Sequence, residues 1–466
     1  MKKNWFRSFI ALGAIATALG SSPTASANGR YPQAMQFAED PSDAERIWLM
    51  STYGMLTSPD RGKTWHWICE QALGISTSVP FDPTFGIHEN GSIIMGLTAG
   101  LRSSKTRGCD WKQAIPEVAD SFVMDVSVDP ALRSRALSLV SFGVAGDGGG
   151  TVYTNQLWET TDNGETFHLL ADNLPDDVYS TTMDAAPSDP QRLYISAQAL
   201  NPNGLNTTPL LLRSRDRGKS WQRLPVPMKI PDGASYIAAV HRTNPDILYL
   251  RTLEFVDSDV ERRAESSLLY TTTGGDTWQE LFRGEAPMLG FALAPDGSEV
   301  FIGFGDPGDR ATTVDPAKLG LWRASTANFQ FEKRFDHTIA CLGYSTLGLY
   351  ACSRLDPGGF DLGLSKDGGR TFETVQNRRR IQGPAPCAAG TAVAAQCTAE
   401  VWKATCDTVL ACEVVKSEAT PPAEAEDDGC GCRAAGRPGS TAGSVLAVFG
   451  AAALALGRML RRKQRH

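Results

Sequence analysis

Short apolar runs alternate with clusters of Gly, Pro, Asn, Asp and Ser along most of the chain. The runs are rich in β-branched and aromatic residues, and no long amphipathic helical period competes with them. They predict strands in a recurring order. A first strand ends in a turn at Phe122 to Pro130, Tyr179 to Pro190, Tyr236 to Pro245 and Met288 to Gly297. A second follows at once, at Leu193-Tyr194-Ile195, Leu248-Tyr249-Leu250 and Val300-Phe301-Ile302. A third covers Leu210 to Arg213, Leu268 to Thr271 and Leu321 to Arg323, and a fourth Trp221 to Leu224 and Trp278 to Leu281. The pattern implies a four-stranded antiparallel unit repeated along the chain.

Between the third and fourth strands one octapeptide recurs. It reads SPDRGKTW from Ser58 to Trp65, TTDNGETF from Thr160 to Phe167, SRDRGKSW from Ser214 to Trp221 and SKDGGRTF from Ser365 to Phe372. Degraded copies stand at Ser104 to Trp111 (SKTRGCDW) and Thr271 to Trp278 (TTTGGDTW), and a vestige at Leu321 to Phe329. The separations run from roughly 40 to 60 residues, the length of one four-stranded blade. The octapeptide resembles the Asp-box, or BNR repeat, of the sialidase and sortilin-like propellers, over about residues 31–378. It has a mechanical rationale. The Asp carboxylate accepts backbone N–H groups of a tight turn, the Gly takes a positive φ, and the aromatic packs beneath the turn. Asp60, Gly62, Trp65, Asp162, Gly164, Phe167, Asp216, Gly218, Trp221, Asp367, Gly369 and Phe372 are therefore expected to be structural rather than catalytic.

The expected fold is all-β, a seven-bladed β-propeller with blades near 31–73, 74–117, 118–172, 173–227, 228–285, 286–335 and 336–378. Six or eight blades remain open because two boxes are weak. How the ring closes cannot be read from the pattern.

Outside these repeats the chain changes character. Lys2, Lys3 and Arg7, the apolar run Phe9 to Leu19 and Ala25-Ser26-Ala27 predict a signal peptide over 1–27. Export makes the ten cysteines candidates for pairing. Cys69 and Cys109 lie in or beside the boxes of successive repeats, which suggests a bridge between neighbouring blades. Cys341 and Cys352 flank a hairpin. Cys387, Cys397, Cys406 and Cys412 crowd the segment 379–415 and are expected to staple it with two bridges, with Ala394 to Cys412 as a candidate helix. A linker at 416–428 is too poor in apolar residues to fold.

Residues 429–466 combine Gly429-Cys430-Gly431-Cys432, an apolar run over 442–457 and a basic end with Arg458, Arg461, Arg462, Lys463 and Arg465. Physically this is a short membrane span with a positive stop. It resembles the MYXO-CTERM sorting signal of myxobacteria. That resemblance implies processing or lipid attachment at Cys430 or Cys432 and retention at the cell surface or outer membrane, with the periplasm as the alternative.

The chain has 466 residues, 42% of them hydrophobic and 21% charged, with a net charge of −7. This suits a protein with a real core. The acidic balance and the lack of a basic stripe argue against a nucleic-acid partner. The candidate chemistry is thin. Arg30-Tyr31-Pro32 fits the short arginine motif of sialidases, but no Tyr–Glu nucleophile pair or further arginine can be traced. Asp125 and Asp184 lie inside first strands, which line the channel of a propeller, and are the candidate carboxylates of a glycosidase. Ala145 to Gly150 (AGDGGG) lacks the Lys of a phosphate loop. Val256 to Arg263 (VDSDVERR) lacks the Gly and distal Glu of a calcium loop. No cofactor and no metal site is implied. The reading is a non-enzymatic, monomeric, surface-displayed propeller that binds a protein, peptide or glycan at the channel mouth opposite the boxes. A glycoside hydrolase, sialidase-like or other, is the alternative.

Overall fold

The computed structural model describes residues 32–76, 81–145, 151–200, 207–229, 233–257, 262–307 and 314–412. The signal-peptide region, Arg30, Cys430, Cys432 and the apolar run 442–457 lie outside the described residues, as do most of the Ala145 to Gly150 stretch and the middle of Val256 to Arg263.

Seven four-stranded antiparallel sheets follow one another along the chain, each a simple meander. They span Ala34–Ile68, Thr84–Gln113, Val123–Ala171, Val178–Pro225, Ala234–Gly284, Met288–Phe335 and Cys341–Gln376, and are numbered here as blades 1 to 7. First strands of successive blades neighbour one another all round, and the first strand of blade 1 meets that of blade 7. The fold is thus a seven-bladed propeller whose first strands surround the axis.

The hydrophobic pattern follows from this arrangement. The second strands Ile47–Ser51 and Ile93–Leu97 are buried at every position, because blades cover both of their faces. Fourth strands form the rim and keep exposed residues, as in Glu332–Phe335. Core clusters accordingly lie between blades: Leu139, Leu157, Leu193 and Ile195 join blades 3 and 4, and Tyr194, Leu211, Leu248 and Leu250 join blades 4 and 5.

Among the described residues no blade mixes strands from the two ends of the chain. Blade 7 closes onto blade 1 through side chains. The Phe37 and Tyr350 rings lie 4.7 Å apart, Arg354 Nε donates to Gln33 Oε1 at 3.0 Å, and Trp65 Nε1 donates to Val375 O at 2.9 Å. The chain then continues around the rim. Trp67 N donates to Gly383 O and Ala385 N to Trp67 O, both at 2.8 Å, so a short parallel bridge at Trp67 and Pro384 covers the outer edge of blade 1. Val393, Cys397 and Leu410 are buried with Trp48, Met55 and Ile68 in one cluster.

This clasp overturns two expectations about the cysteines. Cys69 pairs with Cys397 and Cys109 with Cys387, so Cys69 and Cys109 do not bridge each other. The C-terminal segment passes along blade 1 and over the box of blade 2, and each rim cysteine meets it separately. Cys387 and Cys397 are therefore unavailable to staple their own segment, where Cys406–Cys412 is the one internal bridge among the described residues. Cys341 and Cys352 do close the hairpin of blade 7. A continuous helix from Ala394 does not form. Helical turns at Ala392–Gln396 and Ala399–Thr405 are separated at Cys397–Thr398, where Thr398 caps the second, and a π-turn follows at Cys406–Leu410.

Candidate functional site

The boxes define one end of the ring. In blade 1, Asp60 Oδ1 accepts the Thr64 N–H at 2.8 Å and Oδ2 accepts the Thr64 hydroxyl at 2.7 Å. The Ser58 hydroxyl donates to Asp60 and accepts the Gly62 N–H. The same set recurs at Asp162 with Thr160 and Thr166, at Asp216 with Ser214 and Ser220, and at Asp367 with Ser365 and Thr371. Burial acts upward on Asp162, but the hydrogen bonds from Thr166 and Thr160 outweigh it and hold the carboxyl at about 2.

Two successive residues take the left-handed conformation, not the glycine alone: Arg61 (φ 56°) before Gly62 (89°), and Arg217 (59°) before Gly218 (85°). Arg61 and Arg217 are strained there. Their N–H groups bond to Glu45 O and Gln191 O, in the first turn of the same blade. Each box also leans on the preceding blade. A Cβ on Gly62 would lie 2.5 Å from Val375 Cγ1 of blade 7, and one on Gly164 would lie 3.3 Å from Ile94 of blade 2. Trp65 is buried between blades 1 and 7, and Phe167, Trp221 and Phe372 pack into the clusters between their own and the preceding blades.

The degraded boxes keep the turn with other atoms. Thr106 and Thr273 accept the N–H groups of Asp110 and Thr277. This frees the carboxylates: Asp110 caps the clasp at Ala392 N, and Asp276 pairs with Arg213 of blade 4 at 3.0 Å.

The inner wall carries the two candidate acids. Asp125 Oδ2 accepts the Met183 N–H of blade 4 and Oδ1 accepts the Val126 N–H, both at 2.9 Å. Asp184 Oδ1 accepts the Ser127 hydroxyl at 2.9 Å. Burial pushes Asp125 up to about 6, against its two N–H donors. Burial, with repulsion from Asp125 added, pushes Asp184 up to about 7. The Asp125 bond is one of a series of ties between first strands. Gln36 holds the Phe85 N–H and C=O of blade 2, and Thr182 accepts the Ile237 N–H of blade 5.

The opposite end is built by blades 3 to 5. Their second and third strands lengthen to Ala136–Ala145 and Thr151–Thr160, Asp189–Leu200 and Thr207–Ser214, and Leu248–Asp257 and Arg262–Thr271. The equivalents in blade 1 have five residues each. These hairpins project away from the boxes. Here Phe122, Val144 and Val152 are exposed at 39%, 46% and 38%. The Tyr153 and Tyr179 rings lie 5.4 Å apart. Tyr179 also interacts electrostatically with Tyr236, and the Arg251 guanidinium sits 5.0 Å from the Tyr236 ring. Arg251 Nη1 donates to Met288 O at 2.6 Å, across to blade 6. The sequence reading named none of these as site residues. A signal was present, because Phe122, Tyr179 and Tyr236 stand at or near the starts of first strands, but the octapeptides mark only the other end of each blade.

Among the described residues, no group of three or more His, Cys, Asp or Glu side chains converges to hold a metal. No helix of these residues is long and apolar enough to cross a membrane.

Residues 99–302 match the model of the Sortilin-Vps10 family, described as sortilin, neurotensin receptor 3. The propeller is sortilin-like. No curated protein matches the chain. Solved structures similar to this propeller include a GH74 enzyme of Niastella koreensis, at 13% identity over 73% of this chain and 71% of that one, with a TM-score of 0.27. YCF48 from Cyanidioschyzon merolae aligns at 10% identity over 69% of this chain and 92% of that one, with a TM-score of 0.41. A Trypanosoma rangeli sialidase in complex with the inhibitor DANA aligns at 11% identity over 74% and 54%, with a TM-score of 0.33.

Proposed function

We propose that this sortilin-like propeller is a non-enzymatic binding protein, and that its ligand site is the mouth of the ring formed by blades 3 to 5. One observation carries this reading. Tyr153, Tyr179 and Tyr236 form a row there, both Tyr153 and Tyr236 are part-buried, and neither of their hydroxyls has a protein partner among the described residues. Amphipathic rings whose polar tips lack a protein partner are the raw material of a recognition surface.

A glycosidase is favoured by one feature, the raised Asp184, which resembles a general acid. A hydrolase also needs a second carboxylate free to act as nucleophile or base. Both oxygens of Asp125 hold backbone N–H groups instead. The test is to incubate the protein with a polysaccharide panel and follow binding and reducing-end release together. Binding without release, weakened by Tyr153→Ala, supports the proposal. Release abolished by Asp184→Asn would make the protein an enzyme.

The site is proposed to face the exterior. Export by the N-terminal 27 residues and sorting through Cys430 or Cys432 to the cell surface or outer membrane would place it there. Intact mass of the native protein is the check. Loss of the segment after Cys432, with lipid mass that disappears in Cys430→Ala, Cys432→Ala, supports sorting. A full-length, unlipidated C-terminus overturns it.

A further inference from the structure

This fold meets a buried guanidinium with a carboxylate. Arg135 pairs with Glu159 at 2.8 Å and Asp129 at 3.4 Å, Arg213 with Asp276 at 3.0 Å, Arg378 with Asp361 at 2.6 Å, and Arg192 with Asp246. The pairing has a physical basis, since a cation withdrawn from water without a counter-charge is costly.

Arg251 differs from these four in having no carboxylate partner among the described residues. It is half-buried on the second strand of blade 5. Its protein contacts are the Met288 and Leu289 carbonyls and the face of Tyr236. Among the described residues no acidic side chain acts on it: burial lowers its pKa, and Tyr236 is the one described titratable group that opposes this. Asp125 and Asp184, the acids of the inner wall, have their own partners between blades 3 and 4.

We propose that Arg251 is the anion-binding point of the mouth, and that its ligand is a carboxylated sugar chain whose rings lie against Tyr236, Tyr179 and Tyr153. The inference rests on the mouth being the ligand site. A guanidinium with one edge anchored to carbonyls presents its remaining N–H groups in a fixed fork suited to a carboxylate. The tyrosine row supplies flat apolar faces with hydroxyls in reach of sugar hydroxyls.

A peptide joining the ring as an added strand fits less well. Strand addition needs unpaired backbone groups on a sheet edge. At the first strands of blades 4, 5 and 6 such groups are already held by side chains, the Met183 N–H by Asp125, the Ile237 N–H by Thr182 and the Met288 C=O by Arg251.

The experiment compares polygalacturonate, alginate and hyaluronan oligosaccharides with their methyl esters, which keep the rings and remove the charge. Binding to the full chain is measured by calorimetry. At least one acid should bind about tenfold more tightly than its ester, a difference of about 1.4 kcal/mol. Arg251→Gln should erase that preference and leave ester binding in place. Arg251→Lys, which keeps the charge, should retain part of it and guards against a variant that fails to fold. Tyr153→Ala should weaken acid and ester alike. Equal binding of acid and ester, with Tyr153→Ala still harmful, would overturn the anion assignment and leave the mouth as the site. No binding to any of them, or binding indifferent to Tyr153→Ala, would overturn the carboxylated-sugar ligand. Loss of protein–ligand capture from culture glycans in Tyr153→Ala would then still support the mouth, and its persistence would remove it. Displacement by a poly-glutamate peptide at equal affinity would keep Arg251 as the anion point and overturn the sugar.

Discussion

The two ends of the ring use the same residue types in opposite ways. At the box end, Asp60, Asp162, Asp216 and Asp367 each have both carboxylate oxygens engaged within four residues of their own position. Their charge is stabilised locally. Along the inner wall and at the mouth, Asp184 is destabilised as a charge, and among the described residues Arg251 has no counter-charge and the Tyr153 and Tyr236 hydroxyls have no partner. Polar groups that are satisfied by their own turn build the scaffold. Polar groups left with unused capacity are where a ligand can add something.

The largest expected effect is at the box end, where the clasp holds the rim. Replacing Cys69 and Cys397 together by Ser removes a bridge across 328 residues of chain. The expected cost is about 4 kcal/mol, read from the urea midpoint. An unchanged midpoint would mean that the Cys109–Cys387 bridge and the packing of Val393 and Leu410 hold the clasp without it. Next, Gly62→Ala places a Cβ against Val375 at a positive φ and should cost on the order of 3 kcal/mol in the same assay. A milder loss would show that blades 1 and 7 can part slightly without harm.

Smaller effects sharpen the contrast through pH. Asp162 has a lowered pKa, so its contribution is present above its unfolded value of 3.8 and is lost as pH falls toward about 2. Asp162→Ala should cost about 1 kcal/mol at pH 7, after allowance for exposure, and much less near pH 2. Asp184 has the opposite sign. Its folded pKa of about 7 lies above 3.8, so the folded state binds its proton more tightly and stability declines as pH rises between the two values. Asp184→Asn keeps an acceptor for Ser127 and removes the charge. The decline in melting temperature over that window should flatten in the variant. A parallel decline in wild type and variant would place the titration elsewhere on the inner wall.

The box end was readable because its hydrogen bonds close within the octapeptide. Ser58, Asp60, Gly62 and Thr64 meet through a single turn, so spacing alone displays the geometry. The second left-handed residue, Arg61 or Arg217, was not readable, since no residue preference marks it. On the inner wall, Asp125 was visible as an acid in a first strand. That its oxygens would bond Met183, 58 residues on, was not.

By itself the sequence determined the repeated unit: strand order, box turns, and a chain of blades whose apolar faces need neighbours. These follow from local hydrogen bonding and from hydrophobic period, which act over a few residues. The tertiary structure decided how many blades close the ring, which cysteines meet, and which side chains share the mouth. Cys69 meets Cys397, and Arg251 reaches Met288, because of where the closed ring places them. Such pairings depend on the angle between blades and on the path of the chain around the rim, and a local pattern carries neither.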